Sequence, residues 1–262
     1  MRRGGDADLV GSPVSGFRWL ARGSWTAAQV KITAPGVRHI LPACLQPAVA
    51  AAWATALARP GVHLFDGQLA RLDHWSVESD TLHLALGVTS YHDFVGSNAA
   101  HPEWAAAYGR TALADPLGTS AALVSSDGQL VFGVRSPRVA LYPGMAHPFG
   151  GTCEAGQPDV VGELRRELAE EIHLDTADIT DLRVVALVED LTLSQPELIA
   201  LVHCRWDLAA LTRRLDLDEH GALWSVPATP AAVRAALNGS QRLTPVTRAV
   251  LRCWLDHAES TS

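Results

Sequence analysis

Residues 149–175, FGGTCEAGQPDVVGELRRELAEEIHLD, constrain the fold of this chain more than any other stretch. A glycine-punctuated turn runs into a segment of helical periodicity. Pro158 suits the first turn of a helix, and Asp159 near the N-terminus complements the macrodipole. At ~100° per residue, with Leu164 at zero, Leu168, Val161 and Ile172 fall near ~40°, ~60° and ~80°, a compact apolar stripe. Glu170, Glu163, Glu167 and Glu171 fall near ~240°, ~260°, ~300° and ~340°, within one sector of roughly 100°. Like charges at i,i+3 and i,i+4 destabilise a helix by a few tenths of a kcal/mol per pair. No lysine at i+4 offsets them, since Lys31 is the only lysine in the chain. Glu171 sits beside the apolar stripe, where an unpaired charge is costly, and is expected to be partly desolvated. A hard divalent cation would offset the repulsion, because magnesium takes one or two carboxylates together with substrate phosphate oxygens. The glycine turn can bring backbone oxygens to the same place. The alternative is a solvated acidic face.

Around this helix the pattern is mixed. "TSAALVSSDGQLVFGVRS" (119–136) reads as a hairpin with a Ser-Asp-Gly turn, and 182–190 and 197–206 as two further strands. Residues 222–226 are strand-like, while 208–215, 229–239 and 244–258 read as helices, the last with Thr244 as N-cap and Pro245 at its first position. Upstream, 27–34 could be a strand, 46–61 a helix, and 61–88 two or three antiparallel strands broken at Asp66-Gly67 and Ser79-Asp80. Residues 90–98 and 101–110 read as short helices or turns. Strands and helices do not alternate as regular βαβ units. The expected fold is therefore α/β, a mixed sheet with helices on its faces preceded by a smaller N-terminal α/β part. The boundary is expected at "ADPLG", giving domains over 1–115 and 116–262.

Composition narrows the function. The 262 residues are 48% hydrophobic and 19% charged, with ample material for a core, and carry a net charge of −7. That balance argues against broad binding of nucleic acid or an anionic membrane, but leaves room for a small phosphorylated ligand. Cys44, Cys153, Cys204 and Cys253 are widely spaced and form no CxxC pair, so neither a zinc site nor a dithiol motif is expected. The start has two arginines without an apolar run after them, and no apolar run approaches the ~18 residues that span a bilayer. These features together suggest a cytoplasmic soluble protein; oligomeric state is not legible.

The acidic helix carries a resemblance. "GG" followed by "RELAEE" and a further apolar residue resembles the Nudix box, GX5EX7REUXEEXGU with U apolar. Arg166, Glu167, Leu168, Glu170, Glu171 and Leu174 match its second half. Four positions depart: Gln157 occupies the loop glutamate's slot, one extra residue precedes Arg166, His173 replaces a glycine, and Phe149 stands where proline usually precedes the glycines. The resemblance implies an α/β/α sandwich that hydrolyses a nucleoside diphosphate linked to another group, using Mg2+ or Mn2+. It implies Glu167 and Glu171 as metal ligands, Glu170 as a ligand directly or through water, and the Gly150 carbonyl as a further one. Arg166 would orient a glutamate by an ion pair.

Residues 80–205 are similar in order and wording to the Nudix UDP-glucose diphosphatases of animals, which carry an extra N-terminal domain and the form LGLTxYxxxVGTN, here LALGVTSYHDFVGSN. That likeness implies cleavage of UDP-glucose to UMP and glucose 1-phosphate. Tyr91 and Asn98 become candidates for stacking on a base and pairing with its edge, against a plain reading as a capping turn. Arg135, at the end of the second hairpin strand, and Gly151 are candidates near the diphosphate. Glu197 is placed where relatives supply another acidic ligand or base, with Glu189 and Asp190 competing for that role.

Overall fold

The computed structural model describes residues 16–34, 36–59, 64–156, 159–217 and 219–260. Gln157 and Pro158, both singled out above, lie outside the described residues, as does the start of the chain. Strand β1 (Phe17–Trp25) leads to β2 (Val30–Thr33), helix α1 (Gln46–Leu57), and the hairpin β3 (Gln68–Glu78) and β4 (Thr81–Ser90). Helix α2 (Tyr91–Phe94) runs on as a π-helical turn over Val95–Ala99, and α3 (Trp104–Tyr108) follows. Then come β5 (Gly118–Val124), β6 (Gln129–Arg135), the short β7 (Ala146–His147) and α4 (Val160–Ile172). The remainder is β8 (Ile179–Asp190), β9 (Gln195–Cys204), α5 (Leu208–Arg214), β10 (His220–Pro227), α6 (Pro230–Asn238) and α7 (Pro245–Ser260).

Seven strands form one mixed sheet in the order β1-β8-β9-β5-β6-β10, with β7 on β6. The β5–β9 pair is parallel, with Gly118 opposite Glu197, and the other pairs are antiparallel. The expected hairpin over 119–136 exists, but its strands pair only at Leu123–Val131 and Val124–Leu130. Beyond that the strands diverge, and β5 spends its length on β9 instead. A second sheet, β2-β4-β3, combines a parallel and an antiparallel pair. Its turn places Ser79 at φ 52°, in the left-handed region.

Period-2 alternation divides the strands between two cores. Ala121, Leu123, Leu198, Ala200 and Val202 face α4, whose Val161, Leu164, Leu168 and Ile172 form the expected stripe, together with Leu72, Leu82 and Leu84 of the smaller sheet. Ala122, Val124, Ile199 and Leu201 face the other way, onto Val233 and Leu237 of α6 and Val246, Val250 and Trp254 of α7. Helices α6 and α7 thus cover one face, and α4 with the smaller sheet the other. Because the smaller sheet shares a core with α4, and β1 is an edge strand of the larger sheet, residue 115 does not divide two cores.

A partly buried polar network ties the N-terminal part to the large sheet. Arg110 donates to Asp115 at 2.7 and 2.9 Å and pairs with Glu189, which also pairs with Arg18 of β1. Asn98, fully buried, accepts from the Asp115 amide at 3.0 Å and donates to the Ser194 carbonyl at 3.0 Å. Removing that amide strands buried backbone groups, which costs about 1–3 kcal/mol. Asn98→Ala is expected to lower unfolding stability by that amount in urea denaturation, while leaving substrate KM near the wild-type value in steady-state assays.

Candidate active site

The site is assembled where α4 meets the glycine loop. Asp159 caps the helix, accepting from the Gly162 amide at 2.8 Å, and His173 ends it in the left-handed conformation at φ 49°, filling the slot where the box has glycine. The apolar stripe presses α4 onto the sheet and so turns Glu171 inward, where it is only 6% exposed. Its Oε2 accepts the Gly150 N–H at 2.7 Å, and its Oε1 lies 2.9 Å from Nε2 of the fully buried His220. Burial raises the Glu171 pKa, while His220 and the Gly150 amide pull it back.

The two glycines of the loop sit close to their neighbours, and Gly150 is sterically required. Gly150 sits at φ 143°, and a Cβ there would stand 2.0 Å from the Thr119 carbonyl oxygen. At Gly151 a Cβ would stand 2.5 Å from Glu167 Oε1. Gly150 is thus fixed by the backbone around it, while the bare Gly151 leaves room for the Glu167 carboxylate beside the loop.

Arg166 donates to Glu163 at 2.5 Å, Glu167 at 2.6 Å and Glu170 at 2.6 Å, holding three of the four helix carboxylates. Much of the charge repulsion anticipated from the sequence is therefore offset within the helix. Glu163 was placed in the same sector as the others, yet it is 5% exposed, whereas Glu170 faces solvent. Glu167 has its pKa pushed up to about 7, first by burial and then by Glu171, Glu163 and Glu170, against the pull of Arg166.

A cavity of about 310 Å³ opens beside this cluster. Gly150, Gly151, Glu167, Arg135, Tyr91 and Glu197 all line it, so the structure brings together most of the residues picked out in the sequence. Glu197, buried at the foot of the cavity, accepts from Ser120 Oγ at 2.5 Å, and burial pushes its pKa to about 8. Asp190 also lines the cavity, accepts from the Tyr142 hydroxyl at 2.6 Å, and has its pKa raised by burial to about 6. Arg135 donates from Nε to the Leu141 carbonyl at 3.1 Å.

Two expectations are corrected. Asn98 does not line the cavity, because its amide is engaged with Asp115 and Ser194 in the network described above. Glu189 does not compete with Asp190 at the cavity: adjacent strand residues point to opposite faces, and Glu189 is held by Arg18 and Arg110. His220, Tyr142, Gln195 and Glu219 were not anticipated there. Tyr142, Gln195 and Glu219 line the cavity, and His220 lies behind Glu171. Only the Tyr142 loop had a visible signal, its proline and glycine punctuation.

Among the described residues, no group of three or more His, Cys, Asp or Glu is disposed to enclose a metal ion. The donors fit a more open site. Glu167 and Glu171 flank the Gly150–Gly151 backbone, and the Gly150 carbonyl accepts no hydrogen bond from the described residues. Two carboxylates and a carbonyl, with substrate oxygens and water completing the shell, is how magnesium is usually held.

The chain is 36% identical over 178 residues to uridine diphosphate glucose pyrophosphatase NUDT22 of Homo sapiens, covering 59% of this chain and 56% of that protein. The chain resembles the Nudix UDP-glucose pyrophosphatases. The protein of the same description from Mus musculus is 37% identical over 177 residues, covering 59% of this chain and 55% of that one. The chain thus spans about half the length of the curated relatives it matches. No family model matches it. A mutT/nudix family protein from Listeria innocua overlaps at a TM-score of 0.43 and 16% identity, covering 56% of this chain and 96% of that one, a level that bears on neither fold nor function here. No helix among the described residues is long and apolar enough to cross a membrane.

The raised carboxyl pKa values set a pH dependence. Glu197, Asp190 and Glu167 bind protons more tightly when folded than when unfolded, so the folded state holds more protons between about pH 4.5 and 8. Stability of the metal-free protein is therefore expected to fall as pH rises through that window. Glu197→Gln should flatten the upper part of the decline, read as the midpoint of chemical denaturation at pH 5, 6, 7 and 8.

Proposed function

We propose that this chain is a divalent-metal-dependent Nudix hydrolase that cleaves a nucleoside diphosphate-sugar, with UDP-glucose, giving UMP and glucose 1-phosphate, as the substrate of choice. One observation carries the reading: Glu167 and Glu171 converge on the Gly150–Gly151 backbone at the wall of a cavity that also presents Arg135, Glu197 and Asp190. The similarity to the uridine diphosphate glucose pyrophosphatases supports the choice of substrate.

The charge balance of the cavity supports a metal. Glu167, Asp190, Glu197 and Glu219 line it against a single arginine, Arg135. A diphosphate entering alone would meet mostly carboxyl groups. Held by Glu167, Glu171 and the Gly150 carbonyl, with Glu170 reaching through water, Mg2+ or Mn2+ would screen the diphosphate oxygens and stabilise charge building at the attacked phosphorus. Arg135 then binds a phosphate oxygen, and Gly151 lets the substrate approach the backbone. Tyr91, half-buried at the cavity edge, offers a ring face to a base or sugar. Arg166 keeps the helix carboxylates aligned. Glu197, its pKa near 8 in the metal-free protein, keeps its proton at neutral pH until a cation in the cavity lowers that value; it can then take a proton from an attacking water, and Asp190 stands on the same wall.

The test is incubation with Mg2+ or Mn2+ and a panel of UDP-, GDP- and ADP-linked compounds, with products identified by mass. UMP and glucose 1-phosphate from UDP-glucose are the expected products. AMP from ADP-ribose instead would move the assignment to another nucleoside diphosphate derivative. Tight binding without product across the panel would make the chain a nucleotide-sugar-binding protein. Glu171→Gln is expected to reduce kcat by at least about 100-fold, as loss of a group that stabilises transition-state charge does, with little change in circular dichroism.

A further inference from the structure

We propose that His220 is a positioning residue that holds Glu171 in the geometry required of a metal ligand. The inference rests on the metal-site reading above.

Several features of the fold seat this ring with one polar contact. His220 is completely buried at the first position of β10. A register shift between His220 and Ala222 sets it apart from the regular β10–β6 ladder. The ring stands over Gly133 of β6, where a Cβ would lie 2.1 Å from Nδ1, so no residue larger than glycine fits beneath it. Phe149, immediately before the glycine pair, meets it edge to face with centroids 5.3 Å apart. Nδ1 is buried with no hydrogen-bond partner among the described residues, whereas Nε2 faces Glu171 Oε1 at 2.9 Å. The nitrogen facing a carboxylate carries the proton and donates it.

A histidine placed for packing alone would not be expected to leave one buried nitrogen unpartnered while aiming the other at a carboxylate. Glu171 is fixed at both oxygens, by His220 on Oε1 and by the Gly150 amide on Oε2. Each oxygen keeps a lone pair for a cation, and the carboxylate plane cannot rotate. Groups that orient a metal ligand in this way typically alter metal affinity by about 10–100-fold when removed. Among the described residues Glu167 has no such support from the sheet; its contact is with Arg166 of its own helix.

The experiment is Mn2+ binding to the full-length wild type, His220→Ala, His220→Gln and Gly133→Ala, by isothermal titration and by loss of the free Mn2+ electron paramagnetic signal. Thermal unfolding of each is measured without metal. The expected result is a Kd for Mn2+ raised about 10–100-fold in His220→Ala, with most of the loss restored in His220→Gln, whose amide can donate in place of Nε2. Gly133→Ala, which displaces the ring without removing a polar group, is expected to weaken Mn2+ binding in the same direction. It carries the test if His220→Ala does not fold. In turnover assays the metal concentration for half-maximal rate should shift in parallel, while substrate KM at saturating metal stays near wild type. Wild-type Mn2+ affinity in folded His220→Ala, or in Gly133→Ala should His220→Ala not fold, overturns the proposal. A wild-type protein that binds no Mn2+ overturns the metal-site reading and this inference with it.

Discussion

The structure turns on one carboxylate. Glu171 is almost completely desolvated, and a charge in that position is tolerable only because hydrogen-bond donors meet it from outside its helix. Those donors come from the loop ahead of α4 and from the last strand of the sheet, elements far apart in sequence. The apolar stripe drives the helix onto the sheet, and the buried carboxylate sets where along the sheet it stops. Sliding or rotating α4 would separate Glu171 from Gly150 and His220 and leave a charge buried without partners. Non-directional packing and a directional polar clamp thus act on the same thirteen-residue helix.

Around that anchor the cavity accumulates strain of an electrostatic kind. Glu167, Asp190 and Glu197 all hold their protons more tightly than exposed carboxyls do, chiefly through burial. Burial of this many acidic groups around one space is costly to the isolated protein. Such an arrangement gains stability from whatever positive charge enters, which couples ligand binding to folding in the site's own vicinity. The polar neighbours are unequal: Asp190 has the Tyr142 hydroxyl and two backbone amides, whereas Glu197 has the Ser120 hydroxyl. That difference in support matches the order of their pKa values.

How much of this was legible in the sequence follows from the range of each interaction. The helix over 160–172, its stripe and the inward turn of Glu171 came from periodicity, because the groups involved lie within four turns of one another. The α/β class and the hairpin over 119–136 were likewise local. The parallel β5–β9 pairing was not, since nothing near residue 118 points to a partner some 80 residues on. Asn98 and Glu189 looked available because their counterparts, Asp115, Ser194, Arg110 and Arg18, are recruited across the chain. His220 gave no signal: one of 11 histidines, it acquires meaning only through Glu171, 49 residues earlier. Glu163 shows the limit of a helical wheel, which reports the angle of a side chain but not what the rest of the fold lays over it.

Strand β1 carries a consequence for synthesis of the chain. It leaves the ribosome well ahead of its partner β8, which begins more than 150 residues later. Until then Phe17 and Trp25 have no sheet to join, and the larger core cannot close over its edge. This is a contact of high sequence separation, of the kind that slows folding. A recombinant form trimmed before residue 26 would leave β8 as an open edge, with its unpaired amides and carbonyls offered to neighbouring molecules. The candidate site is built from distant segments of the chain, but the protection of that open edge depends on β1 finding its place.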